Sequence, residues 1–477
     1  MKPGFFAKIA LLIITGTCLA FAGAWADNSP ADSNGAGGEP GALSFTMEES
    51  IERALDVNPR IRAAEWEIRK ADSDIGRQRG DFFPTVSAQS RYQMLDSIDA
   101  KGPGEDDTDY LDQQIGTVNF RLSQPLFRGM SIFNAHEKAM LSKTRVKAWK
   151  TQVEKELVLE VQLHFLELLK AREDVQSLQD AVHRLETSVE EAEAFHERRM
   201  APYTQVLQAY VDLADARQEL SQAKNRVETT RVQLNIFLDF SAYRNIDYAG
   251  HLEKGAALSW SLEECLDYAL QYRPEIRIAQ KGIKMAEKDR KIALGRFSPR
   301  LDASVDYHIR DVDYDEEFPE QPGQPSDRDQ RNTYWTAGIT LQWEFGLGGQ
   351  QYYEYSKTNQ EIELLRQNRR QAENEITAEV QTYYMGLQEA DERIDTTSTA
   401  LDHAREGFSM AENRMAVRMG TIGELLDAQA RLSRAEANHN QAVGDYLSSM
   451  ARLYHAMGRD NRSLGRETPE PMPLQEL

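Results

Sequence analysis

The stretch Thr46-Met47-Glu48-Glu49, continuing through Ala54-Leu55, Pro59, Ile61-Arg62, Ala64, Phe82 and Pro84, decides the fold because it occurs twice. It returns as Ser261-Leu262-Glu263-Glu264, Ala269-Leu270, Pro274, Ile276-Arg277, Ala279, Phe297 and Pro299, at a constant offset of 215 and without a gap. Prolines shared at both marks over about forty positions point to an internal duplication. Each copy opens on an N-cap residue, Thr46 or Ser261, with Glu49 or Glu264 three places on, the pattern of a capping box. Pro59 and Pro274 restart a helix, and Pro84 and Pro299 stop it.

Beyond each stop the pattern changes period from helical to two. Val86, Ala88, Ser90, Tyr92 and Met94 alternate with Thr85, Ser87, Gln89, Arg91 and Gln93, and Val118, Phe120 and Leu122 alternate with polar residues after a loop. The second copy repeats this at Leu301, Ala303, Val305, Tyr307 and Ile309, then at Ile339, Leu341, Trp343 and Phe345. Strands of about ten residues have the length of tilted membrane-crossing strands, although alternation alone also suits the core of a β-sandwich. Phe82, Phe83, Phe127, Tyr334, Trp335, Trp343 and Phe345 are placed as an interfacial aromatic girdle. The connecting loops are acidic: residues 96–112 hold seven acids and 311–331 hold eight. They read as solvated surface or, alternatively, as a site for a divalent ion or receptor.

Residues 130–199 and about 350–418 contain no proline, so each can form one helix on the order of 105 Å long, deeper than any ordinary globular core. After breaks at Met200-Ala201-Pro202 and Met419-Gly420 comes a second helix. Val206, Ala209, Leu213, Ala216, Leu220, Ala223, Val227 and Thr230 step by 3 and 4, as do Leu425, Ala428, Leu432, Ala435, His439, Ala442, Tyr446 and Ser449. This is a coiled-coil seam. Val175, Leu178, Val182, Leu185, Val189 and Ala192 offer the matching face on the long helix, which predicts two tall helical hairpins.

Composition narrows the function. The 477 residues are 40% hydrophobic and 28% charged, with a mean hydropathy of −0.61. Past the leader no run of about 18 apolar residues recurs, which excludes a bundle of membrane helices. A formal charge of −21 argues against nucleic acid as a partner. Residues 1–26 read as a signal peptide, with Lys2 and Lys8 before an apolar stretch and Ala24-Trp25-Ala26 at the cleavage point. Thr17 ahead of Cys18 disfavours a lipidated start, and loss of the leader takes the charge to −23 and leaves Cys265 alone. The expected organisation is a flexible segment 27–44, a first repeat 45–240 with its β-hairpin at 84–124, and a linker 241–259. A second repeat 260–458 with its hairpin at 299–345 and a flexible tail 459–477 follow.

Four strands with one apolar face cannot rest in a bilayer alone, because unpaired edge groups cost several kcal/mol each there. Three chains would supply twelve strands, so the predicted state is a homotrimer in contact with outer-membrane lipid. At this point the chain resembles the TolC-like outer-membrane efflux proteins, the outer membrane factors of Gram-negative bacteria. The resemblance covers about 45–458 and is carried by the duplicated start, by Ser123-Gln124-Pro125-Leu126-Phe127-Arg128-Gly129, and by Gly420-Thr421-Ile422-Gly423-Glu424-Leu425-Leu426-Asp427-Ala428-Gln429, with Gly458 closing the last helix. It implies a mainly α chain of duplicated helical hairpins plus four strands, assembling as a trimeric 12-stranded β-barrel over a long α-helical barrel. Such ducts export passively across outer membrane and periplasm in tripartite efflux or type I secretion. Their partners are a periplasmic adaptor (membrane fusion) protein and an inner-membrane pump of the RND or ABC type.

The resemblance also places Glu424 and Asp427 at a pore constriction near the periplasmic tip, where crowded carboxylates favour cations. First-turn acids that stabilise a helix N-terminus by about 0.3–1 kcal/mol each are the other reading. Gln205 and Gln208 stand at the matching positions of the first repeat. Ala201, Pro202, Tyr203 and Thr204, with Gly420, Thr421, Ile422 and Gly423, are the expected adaptor-contact tips or, equally, plain hairpin chemistry. Pro202 departs from the glycine-containing turn common in the family. No catalytic, metal or cofactor motif is present: His196-Glu197 lacks the second histidine of a zinc motif, and Gly346-Leu347-Gly348-Gly349 is too short for a dinucleotide loop and reads as a strand-to-helix swivel. The chain is not read as an enzyme. The competing class is a periplasmic coiled-coil adaptor or scaffold without a pore.

Overall fold

A computed structural model describes residues 44–95, 113–255, 258–314 and 330–459. The expected signal peptide, the expected flexible ends apart from Ser44 and Arg459, and the centres of both acidic loops lie outside the described residues. In chain order the elements are β1 (Ser44–Phe45), α1 (Met47–Val57), α2 (Pro59–Gly80), β2 (Thr85–Leu95), β3 (Gln113–Phe127), α3 (Ser131–Glu197) and α4 (Tyr203–Phe237). There follow β4 (Asp247–Tyr248), α5 (Leu262–Tyr272), α6 (Pro274–Gly295), β5 (Arg300–Tyr314), β6 (Gln330–Gln342), α7 (Gln350–Ala416) and α8 (Ile422–Met457). The chain is mainly helical.

Both capping boxes are formed. Glu49 and Glu264 each accept from the N-cap backbone N–H at 2.8 Å, and Thr46 and Ser261 accept from the N3 backbone N–H at 3.3 Å. Those hydrogen bonds hold both carboxyls below their ordinary pKa. Pro59 and Pro274 occupy the first turn of α2 and α6, where the missing N–H costs nothing.

α3 and α7 are each 67 residues, on the order of 100 Å long. α2 and α4 pack along α3, while α6 and α8 pack along α7. The core runs as clusters down these seams. Val206, Ala209, Leu213 and Ala216 are buried against Leu185, Val189 and Ala192, as the 3–4 stepping predicts. In the second hairpin Ala442, Tyr446, Met450 and Leu453 are buried with Val380, Leu387 and Ile394. At the middle of the seam His439 is half-buried, and its Nδ1 has no hydrogen-bond partner among the described residues.

The segment expected as a linker contains structure of its own. β4 pairs in parallel with β1, Tyr248 is fully buried and donates to Asn235 Oδ1 at 2.7 Å, and Arg172 donates to the Tyr248 carbonyl at 2.6 Å. Burial pushes the Tyr248 phenol up to about 12.

The strands form one sheet in the order β2-β3-β5-β6, all antiparallel, so the two hairpins are joined through β3 and β5. β5 runs five residues beyond the expected Ile309, which takes Asp311 to Tyr314 out of the second acidic loop and into the sheet. Where β3 leaves the sheet, Gly129 (φ +58°) lies against Gly295, and a Cβ on either would overlap the other's backbone.

Candidate functional site

The register fixes which side chains share a face. On one side the rungs read Val86, Leu122, Val305 and Ala337, then Ala88, Phe120, Tyr307 and Trp335. Val86 is 75% exposed, Trp335 69%, Ile339 68% and Leu341 65%, so no second layer of described residues covers this apolar wall. Val118, one rung further out, is buried. On the opposite side the rungs are polar: Ser87, Arg121, Asp306 and Thr336, then Gln89, Asn119, His308 and Tyr334, then Arg91, Thr117, Arg310 and Asn332. Arg121 donates to Asp306, and Arg128 donates to Asp302 at 2.8 Å. Near the helices the sheet thus has one exposed apolar face backed by a polar one, while at its far end Asp311 joins the first face and Ile115 and Val312 the second. The apolar part suits contact with lipid and the polar part contact with water.

Phe82, Phe83, Phe127, Trp343 and Phe345 are exposed where the strands meet the helices, at one edge of that wall. Tyr334 does not join them. It sits within β6 on the polar face, stacked on His308 at 4.8 Å between ring centroids, because one step along a strand changes the face.

At the far end of the helices the two turns have the same backbone at an offset of 219. Arg199 (φ 57°) and Arg418 (φ 64°) take the left-handed conformation, and Met200 and Met419 donate back to the Phe195 and Arg414 carbonyls, both at 2.8 Å. Pro202 and Thr421 are the equivalent N-caps. Pro202 therefore leaves the path of the turn unchanged, since Arg199 carries the positive φ, as Arg418 does in the second repeat. Pro202, Tyr203, Thr204 and Thr421 are exposed, whereas Ala201, Gly420 and Gly423 are half-buried. Ile422 is 2% exposed and belongs to the core of the hairpin with Met415, Leu425 and Leu426.

Glu424 and Asp427 both project from the first turns of α8 into solvent. They differ in company. Glu424 Oε2 lies 3.3 Å from Arg414 Nη2, which also donates to the Met419 carbonyl at 3.1 Å. Asp427 makes no ion pair among the described residues. The first-repeat equivalents are uncharged, and Gln208 donates to Asp212 at 2.7 Å.

Three features near the tip escaped sequence reasoning. Arg414 was unremarkable in a helix full of charges. Arg184 of α3 donates to Gln429 at 2.8 Å and to Glu436 at 3.0 Å, tying the first hairpin to the second through partly buried side chains. Glu191 of α3 is held above the usual carboxylate range by burial and then by the neighbouring Glu412 charge of α7. Only Arg184 carried a signal, as an arginine directly beside seam residue Leu185.

Among the described residues no group of three or more His, Cys, Asp or Glu side chains is arranged to hold a metal ion. Cys265 is buried, which pushes its thiol up to about 11. Gly349 (φ 71°) caps α7 as Met130 (φ 61°) caps α3, so the glycine-rich segment turns a strand into a helix.

Residues 50–238 and 265–459 match the family described as outer membrane efflux protein. The chain belongs to the outer membrane efflux protein family. It is an export channel of the Gram-negative outer membrane that extends into the periplasm. Its fold is similar to that of the outer-membrane channel OprN (17% identity, TM-score 0.72), covering 87% of this chain and 90% of that one. It is similar also to the outer membrane protein VceC of Vibrio cholerae (15%, TM-score 0.69, 87% and 96% covered). The CmeC channel of Campylobacter jejuni is a further neighbour (14%, TM-score 0.71, 86% and 85% covered). No curated protein matches the sequence.

Proposed function

We propose that three copies of this efflux protein close their sheets into one 12-stranded barrel, with the helical hairpins of the repeats 45–240 and 260–458 walling a tube beneath it. The observation that carries this reading is the bare apolar face of a sheet whose outer strands, β2 and β6, each keep one edge unpaired. The duplication supplies the seam. Inside the chain, the first repeat meets the second through Gly129 against Gly295 and through Lys138 to Asp289 at 2.7 Å. Moved on by one repeat, these contacts become Gly348 against Gly80 of the partner subunit and Lys357 to Asp74 of the partner subunit.

Each transposed residue suits the role. Gly80 and Gly348 have open space where a Cβ would be, Lys357 is exposed, and among the described residues Asp74 has Arg77 as its one ion-pair partner, at 3.5 Å. The same operation sets Ile339 opposite Tyr92 of the partner subunit and Trp343 opposite Ala88 of the partner subunit, apolar beside apolar.

In this assembly the exposed tip residues Pro202, Tyr203, Thr204 and Thr421, with Ala201, Gly420 and Gly423 behind them, meet a periplasmic adaptor, and an inner-membrane pump of the RND or ABC type supplies the energy. Asp427, with Glu424, lines the narrow point. Asp427 is the stronger ring charge because Arg414 offsets that of Glu424. A pore-less periplasmic scaffold leaves the bare wall without a solvent that suits it.

The test is a crosslink across the seam in the variant carrying Asp74→Cys and Lys357→Cys. It is made with a short bis-maleimide because the two positions are held apart by a lysine and an aspartate side chain, a longer span than a direct disulfide bridges. Treated membranes should yield covalent trimers on denaturing gels, and the purified protein should conduct ions in planar bilayers. Monomers alone, without conductance, would overturn the reading.

A further inference from the structure

The polar face of the sheet carries three arginines with no ion pair among the described residues: Arg300 at the helix end of β5, and Arg91 and Arg310 together further out. Its described acids, Asp302 and Asp306, are already taken by Arg128 and Arg121. Arg91 and Arg310 share one rung with Thr117 between them, so they stand two strands apart, roughly 9–10 Å. The adjacent rung adds His308 with Tyr334 stacked on it. These groups surround a cleft of about 240 Å³ lined by Gln89, Arg91, Thr117, His308, Arg310 and Tyr334, with no carboxylate in its wall.

We propose that Arg91 and Arg310 form an anion-binding belt in the outer half of the barrel lumen, taking the carboxylate or sulfonate groups of small organic solutes on their way out. The inference rests on closure of the sheet by three copies, which sets six guanidinium groups around the lumen at one height. Guanidinium forks match planar oxyanions in two parallel hydrogen bonds, and a ring of like charge in a pore selects for the opposite sign. His308 and Tyr334 add ring faces beside the charges, which suits anions that carry an aromatic body. The belt gives the duct opposite signs at its two ends: carboxylates at the periplasmic tip, guanidiniums near the exit.

Full-length protein in planar bilayers under a KCl gradient tests this, with pyrenetetrasulfonate added on the barrel side as an anionic aromatic probe. Wild type should be blocked by micromolar probe. Arg91→Gln with Arg310→Gln should raise the K⁺/Cl⁻ permeability ratio roughly threefold and remove the block. Arg91→Lys with Arg310→Lys should keep the wild-type ratio yet weaken the block, because an ammonium lacks the fork. An unchanged ratio and block in the glutamine variant would overturn the belt and leave the duct standing. That is the outcome expected if the acids of 96–112 and 315–329 neutralise both arginines. A channel that never conducts would overturn closure, and the belt with it.

Discussion

The two repeats place different chemistry on the same backbone at the joint midway along the helices. Asn58 and Arg273 are equivalent, each the last residue before a proline-initiated helix, and each reaches a carbonyl at the end of its repeat's final helix. Asn58 donates to Phe237 at 3.1 Å and Arg273 to His455 at 3.0 Å. Glu160 and Glu379 are equivalent too, but Glu160 is paired with Arg60, whose side chain is 45% exposed, while Glu379 takes Arg273, 8% exposed. The tips diverge too: Phe195 and Gln205 stand where the second repeat has Arg414 and Glu424, an exposed ion pair with no counterpart in the first repeat. Duplication has kept the contacts that set helix direction while the charges differ, and at this joint the second repeat has drawn its arginine inward. The repeats can therefore pack alike around a ring while differing in what they present.

The sharpest way to break that comparison is at the glycine joint. Gly295→Ala forces a Cβ into the Gly129 backbone within the chain and should cost more than about 4 kcal/mol, seen as loss of folded protein on thermal melting. Gly348→Ala meets nothing within 4 Å in its own chain. If the joint recurs between subunits, this variant should fold as a monomer with wild-type helicity and fail to trimerise. Normal trimers from Gly348→Ala would show that the repeats are equivalent in sequence but not in assembly.

Most of the fold was legible because long helices and membrane strands leave strong periods. The seam through Val206, Leu213 and Ala216 could be read residue by residue, and the capping boxes located α1 and α5 within a residue. What failed has physical reasons. Tyr334 was misplaced because aromatic content does not report face, only parity does. The β1–β4 pair went unseen because two-residue strands have no period. At the candidate site, spacing puts Glu424 and Asp427 on one face of α8 and only the family resemblance implies a pore role for them, but Arg414 belongs to another helix. It reaches Glu424 only after the turn at Arg418 folds the chain back.

Histidine sharpens the comparison by acid. His455 stands where the first repeat has Ile236, at the end of α8. Burial first, then the charges of Arg273 and Lys155, lower its pKa from 6.5 to about 4. Its neutral form is favoured in the folded state, so the associated stability is complete above pH 6.5 and is lost as pH falls through 4. At pH 5 the loss is about 2 kcal/mol. His455→Gln should flatten the melting temperature between pH 7 and pH 5. A variant as acid-sensitive as wild type would place the titrating group elsewhere.

The smallest expected effect lies at the tips, and it separates turn geometry from capping. Thr421 Oγ1 accepts from the Glu424 backbone N–H at 3.2 Å, whereas Pro202 makes no side-chain cap. Thr421→Ala should therefore cost about 1 kcal/mol, while Pro202→Ala loses only the rigidity of the proline ring, about 0.4–1 kcal/mol. The local consequence is more telling than the global one. Losing the cap frees the N-terminal turn of α8, so amide exchange should quicken at Glu424 and its neighbours and stay unchanged at Gln205. Because Glu424 is also held by Arg414, exchange in Arg414→Ala alone should rise less than in Thr421→Ala. If the two variants loosened the turn equally, the ion pair would matter as much to the tip's backbone as the cap. The charge difference between the repeats would then have a structural origin, independent of any solute in the pore.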